Sequence, residues 1–149
     1  MIHKGTEYIA PIPPTLFAEI TLLFDHDFPV EHINVVLGLD PTESLRQSQT
    51  RTNPITGKNN PGFWLFKTKE ISSFDVEPLL LMIERFLVTH SSGLHQVIQQ
   101  YSPCCFMLRI RVLVHQEDEY PAIRFNPGLL QLLSSMNVTI DIEVENDYL

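Results

Sequence analysis

The stretch Phe106-Met-Leu-Arg-Ile-Arg-Val-Leu-Val114 decides the fold. Phe106, Leu108, Ile110, Val112 and Val114 alternate with Met107, Arg109, Arg111 and Leu113. Successive side chains of a strand point to opposite faces, so one face here is continuously apolar while the other carries two guanidiniums. The closing stretch has the same period, with Val138, Ile140, Ile142 and Val144 expected inward and Thr139, Asp141, Glu143 and Glu145 outward. Its carboxylates stand about 7 Å apart on one face. In water each neighbouring repulsion is then about 0.6 kcal/mol, which favours a cationic neighbour. Arg109 and Arg111 have the matching i, i+2 spacing. The two strands are therefore predicted to lie side by side, with Arg–carboxylate pairs crossing the ladder.

Working outward, Pro11, Pro13 and Pro14 favour an extended arm over residues 1–17, ahead of a single domain at 18–149. A strand follows from Glu19, with Ile20, Leu22 and Phe24 on one face. Asp27 is placed to cap a short helix, Pro29 suits its first turn, and Gly38 stands where a left-handed residue ends it. A strand is expected around Leu45–Thr52, leading into a long, mobile hairpin loop over residues 47–61. Phe63-Trp64-Leu65-Phe66 is the next strand, apolar on both sides. Val76, Leu79, Leu80, Ile83, Phe86 and Leu87 recur at steps of three and four and define the principal helix. Ser91-Ser92-Gly93 should bend it. A strand near Ala122–Phe125, a helix opened by Asn126-Pro127 and an ending at Asn137 complete the order β-α-β-β-α-β-β-α-β. This pattern is α+β: a two-layer sandwich with a mixed or mostly antiparallel sheet of about five to six strands and the helices on one face.

The 149 residues are 44% hydrophobic and 19% charged, enough for one core without disulfides or metal. No apolar run approaches the 18 or so residues of a membrane span, and the start lacks a secretory leader, so the expectation is a cytoplasmic protein. The net charge is −8, which disfavours nucleic acid and suits a basic partner. Its distribution is uneven. From Ser44 to Lys69 there are five cations and no carboxylate, whereas from Val112 to Leu149 there are seven carboxylates and one cation, Arg124.

No Gly-rich phosphate loop, GxSxG, HExxH or CxxC occurs, so no cofactor, metal or catalytic residue is expected. Adjacent Cys104 and Cys105 read as a reduced pair at a strand start, one of them inside. Three sets of residues remain as candidates. The acidic turn Glu117, Asp118 and Glu119, with Glu145 and Asp147 beyond the reach of the Arg pairing, forms a partner surface. Asp25, His26 and Asp27 form an alternative small-ligand or enzyme site at a strand end, although alternate residues there diverge. Arg46, Arg51, Lys58 and Trp64 form a nucleic-acid alternative, against which Trp64 is also a good core residue.

The runs Phe28-Pro-Val-Glu-His-Ile33, Leu37-Gly-Leu-Asp-Pro-Thr42, Gly62-Phe-Trp64, Phe125-Asn-Pro127 and Met136-Asn-Val-Thr-Ile-Asp-Ile142, in that order, carry a resemblance over residues 18–145. The chain resembles the bacterial domain-of-unknown-function family 4279. The resemblance implies a small bacterial intracellular protein with one α+β domain, and it carries over no catalytic residue. The expected function is a non-enzymatic protein-binding module, such as an immunity-type inhibitor of a basic toxin.

Overall fold

Two ten-residue strands with the same alternation, β1 (Thr15–Phe24) and β5 (Cys105–Val114), lie antiparallel at the centre of the sheet. The computed structural model describes residues 10–117 and 119–148. From β1, Leu16, Ala18, Ile20, Leu22 and Phe24 are buried, and from β5 every second residue from Phe106 to Val114. The remaining described elements are α1 (Val30–Leu37), β2 (Glu43–Leu45), a 3₁₀ turn at Gln47–Gln49, β3 (Gly62–Lys67), β4 (Ile71–Ser72), α2 (Glu77–Thr89), α3 (Ser91–Tyr101), α4 (Pro127–Ser135) and β6 (Thr139–Asn146). The six-stranded sheet has the order β2-β3-β1-β5-β6, with β4 against the start of β1. All pairs are antiparallel except β5–β6, which the α4 crossover makes parallel. The helices lie mostly on one side, so the fold is the α+β sandwich with a mixed sheet that the sequence pattern predicts.

Local chemistry explains the boundaries. Asn126 Oδ1 accepts from Leu129 N at 2.7 Å, with Pro127 in the first turn, and Asn137 takes φ +54° after α4. Gly38 ends α1 with φ +68°. Asp27 does not cap α1, because its Oδ1 instead accepts from Ser48 N at 2.9 Å and Pro29 precedes the helix. The α2–α3 bend falls at His90, whose Nδ1 lies 2.8 Å from Leu37 O.

Other boundaries differ from expectation. β1 begins at Thr15, inside the expected 1–17 arm, because Thr15 and Leu16 pair with both β4 and β5. Apolar Phe17 on the open face, its ring centre 4.2 Å from the Lys67 ammonium, hides the alternation, and residues 1–9 of that arm lie outside the described residues. The strand here is Glu43–Leu45, which shares only Leu45 with the expected 45–52 strand, because the chain turns at Gln47–Gln49, where Arg46 N donates to Gln49 Oε1 at 3.1 Å. The loop after it closes as a hairpin through the Thr52–Asn59 bridge. Residues 122–125 form no strand and make a single bridge, Ala122 to Asp75. Cys104 is exposed and Cys105 half-buried, so neither thiol is inside.

Gly93 serves packing rather than bending. A Cβ there would stand 2.7 Å from Val36 O, so its absence lets α3 approach the backbone of α1. Alanine has the better helix propensity, by about 1 kcal/mol. Gly93→Ala is nonetheless expected to destabilise the protein by about 1 kcal/mol net, because the two helices must separate. Urea unfolding checks this, and a gain in stability would show that the α1–α3 approach is not tight.

Candidate functional site

The open face of the sheet carries the charge. On it Arg109 Nε donates to Asp141 Oδ2 at 2.9 Å and lies 3.4 Å from Glu143 Oε1. Arg111 Nη1 donates to Glu19 Oε1 at 2.9 Å, and its Nη2 donates to Glu145 Oε1 at 2.6 Å. Arg111 Nε is 3.2 Å from Glu143 Oε2 but is not aligned for a hydrogen bond. The β5–β6 register sets Arg109 beside Asp141 and Arg111 beside Glu143, so the predicted neighbours and their cross-ladder pairs are present. The Glu19 bond drives the Arg111 guanidinium above its usual range. Two guanidiniums thus serve four carboxylates, and the ladder stays anionic.

Glu145 was expected beyond the reach of this pairing, and the long Arg111 side chain overturns that. Asp147 is engaged too, with Oδ2 3.0 Å from His115 Nδ1, while the ring's Nε2 lies 2.8 Å from Thr15 Oγ1. Both carboxylates still face solvent, with their side chains 54% and 68% exposed. Glu117 is exposed in its turn and Glu119 half-buried, and Asp118 lies outside the described residues. The acidic residues expected to face a partner therefore lie along β6 and in the turn beyond β5.

A second departure concerns the other face of β6. Ile142 and Val144 were expected in the core, yet they are 42% and 49% exposed. A nine-residue helix such as α4 rises about 13 Å, whereas an eight-residue strand spans about 26 Å, so α4 is too short to cover all of β6, and of its helix-face aliphatics Ile140 packs against the core. β6 also ends the sheet, and among the described residues no strand pairs with its outer edge.

The alternative strand-end site comes together only in part. Asp25 Oδ1 is 3.0 Å from His26 Nδ1, Asp27 turns away to Ser48 N, and His32 Nδ1 meets Tyr101 OH. The His26 hydrogen bond lowers Asp25, and the Ser48 backbone bond lowers Asp27. Among the described residues no group of three or more His, Cys, Asp or Glu could hold a metal ion. Burial pushes the Cys104 thiol up, the wrong direction for a nucleophile. In the basic segment, Arg46 pairs with Glu31 at 3.3 Å, and Trp64 is fully buried with Nε1 donating to Asn34 Oδ1 at 2.9 Å. That indole cannot stack on a base, which leaves Arg51 and Lys58 on the hairpin without the aromatic platform.

One concavity escaped the sequence reading: a cleft of about 480 Å³ lined by Phe74, Asp75, Glu77, Arg124, Phe125 and neighbouring residues. It joins the start of α2 to a segment some fifty residues away, and no local motif signals it. Asp75 Oδ1 already accepts from Glu77 N at 3.0 Å, so the start of α2 is occupied by the chain's own carboxylate.

The family model described as domain of unknown function (DUF4279) matches residues 15–147, nearly the whole chain. No curated protein matches the chain, and no solved structure matches it either. No helix among the described residues is long and apolar enough to cross a membrane.

The ladder and the Asp27 contact are both open to measurement. Arg111→Ala should cost about 2 kcal/mol in urea unfolding by removing charge-assisted hydrogen bonds and leaving Glu19 poorly solvated. Adding Glu19→Gln should recover part of that loss, and additive effects of the two changes would contradict the pairing. Asp27 has a lowered folded pKa, so its stabilisation is complete above the unfolded value and is lost as pH falls through the folded one. Hydrogen exchange at the Ser48 amide should accordingly lose protection in acid, relative to neighbours. Asp27→Asn should flatten that pH dependence, whereas an unchanged profile would place the Ser48 protection elsewhere.

Proposed function

The chain belongs to the family of the domain of unknown function DUF4279, and we propose that this member is a cytoplasmic bacterial protein-binding module, non-enzymatic, that captures a basic partner. An immunity-type inhibitor of a basic toxin is the role that fits best. The observation that carries the reading is the anionic surplus on the open face, where three β6 carboxylates and Glu19 of β1 share Arg109 and Arg111. Glu117, Glu119 and Asp147 extend that surplus beyond the strand. An anionic face of this kind steers a cationic partner and rejects anionic ones. The two free thiols, Cys104 and Cys105, suit a reducing compartment.

Affinity capture of the tagged protein from a lysate of its host, washed at rising salt, tests the reading. The expected result is one stoichiometric basic protein that salt releases, since exposed charge contacts are screened. Glu119→Gln, Glu145→Gln and Asp147→Gln together should reduce its recovery at least tenfold while the variant's circular dichroism stays that of the parent. Capture of an acidic protein, or undiminished recovery by the triple variant, would overturn it.

A further inference from the structure

An edge strand offers unpaired backbone N–H and C=O groups to any extended chain of suitable side chains. The outer edge of β6 runs for eight residues, Thr139–Asn146, and among the described residues nothing pairs with it. Defended edges are short, bulged or charged, yet this one presents a different character on each face. On the open face stand Asp141, Glu143 and Glu145, and on the helix face the half-uncovered Ile142 and Val144. Tyr120 and Tyr148 meet beyond the end of the strand, their hydroxyls 3.0 Å apart, with Tyr120 also donating to Asn146 Oδ1 at 3.1 Å. They mark where the exposed stretch stops.

Side chains on adjacent strands stand about 5 Å apart on a shared face, so a strand added here is read at every residue. On one face it meets carboxylates at two-residue intervals, each with acceptor capacity left over from the two guanidiniums. On the other it meets aliphatic surface. We infer that the outer edge of β6 is a strand-addition site for an extended segment of the partner in which lysine or arginine alternates with aliphatic residues. This rests on the basic-partner reading and supplies its mode of recognition. A second copy of β6 is the wrong occupant, because antiparallel self-pairing centred on Glu143 would set Asp141 against Glu145 and Glu143 against itself.

The probe is a capped octapeptide, (Lys-Val)₄, compared with its block isomer Lys₄Val₄, which has the same charge and composition without the alternation. Calorimetry should show the alternating peptide binding at least tenfold tighter. Hydrogen exchange should show new protection within residues 139–146, and N-methylation of every second peptide nitrogen should abolish it in one of the two registers. Equal binding of the isomers, or protection that leaves β6 unchanged, would overturn strand addition. Peptide-free protection of β6 that grows with protein concentration would assign the edge to a second copy and overturn it. Protection lost on deleting residues 1–9 would overturn it in favour of the chain's own leading segment. Should the captured basic protein still bind while β6 amides exchange freely in the complex, strand addition fails and the basic-partner reading survives. Loss of basic-protein capture with β6 protection by the alternating peptide intact would instead reject the partner reading alone.

Discussion

The nine-residue antiparallel register of β1 with β5, from Thr15–Leu113 to Leu23–Cys105, is the constraint on which the rest of the structure depends. Every second residue of both strands is buried on the same side, so the pair presents a continuous aliphatic floor. A buried aliphatic side chain of this size contributes about 2 kcal/mol relative to exposure, and a one-residue slip would turn the entire set to solvent. The helical layer has to lie on that floor. α1 and α3 cover it together, drawn close by Gly93, and α2 adds Leu79, Ile83 and Leu87.

Putting all the cover on one side leaves the reverse face to solve its own problem. Residues there are half-buried by their neighbours in the sheet and cannot all be hydrated independently. Phe17 is shielded by the cations of Lys67 and Arg111, and Glu19 by the Arg111 guanidinium. The Arg109 and Arg111 ladder thus joins β1, β5 and β6 across three strands. Arg111 is the centre of that network, since among the described residues it alone touches carboxylates from both flanking strands. A lysine could not substitute, because its single ammonium lacks the planar fork that reaches Glu19 and Glu145 at once.

The sequence made the central features legible because they depend on period and spacing alone. Alternation from Phe106 to Val114 identified the core strand, and the shared i, i+2 spacing of arginines and carboxylates identified its neighbour. What stayed illegible depends on cover and on length. Alternation states which face Ile142 and Val144 occupy, but not whether a helix extends far enough to shelter them. The reach of Arg111 to Glu145 depends on side-chain length and on the β5–β6 register together. Residues 122–125 have strand-like composition, yet they sit where α2 and α4 begin, and no ladder is within reach beyond one bridge. Asp27 had two suitors, the α1 amides and Ser48 N, and only the folded path of the 47–61 segment chooses between them. The cleft between α2 and the 122–126 segment is a tertiary product with no local trace.

Charge on an edge strand has an ordinary purpose, which is to repel other edges and prevent aggregation. That purpose accounts for Asp141, Glu143 and Glu145 but not for Ile142 and Val144. A purely defensive edge gains from polar residues on both faces, since each exposed aliphatic adds to the attraction that the charges oppose. Nor does defence require neutralising guanidiniums, which weaken the repulsion that it needs. The combination on β6 has a different physical consequence. It repels acidic extended chains and leaves its incompletely paired carboxylates desolvated against uncharged ones, while a chain with alternating cations relieves the surplus and covers the aliphatics in the same step. Discrimination then comes from a penalty on the wrong chain as much as from attraction to the right one. An edge with that property remains soluble alone and becomes a template only for a chain of the complementary pattern.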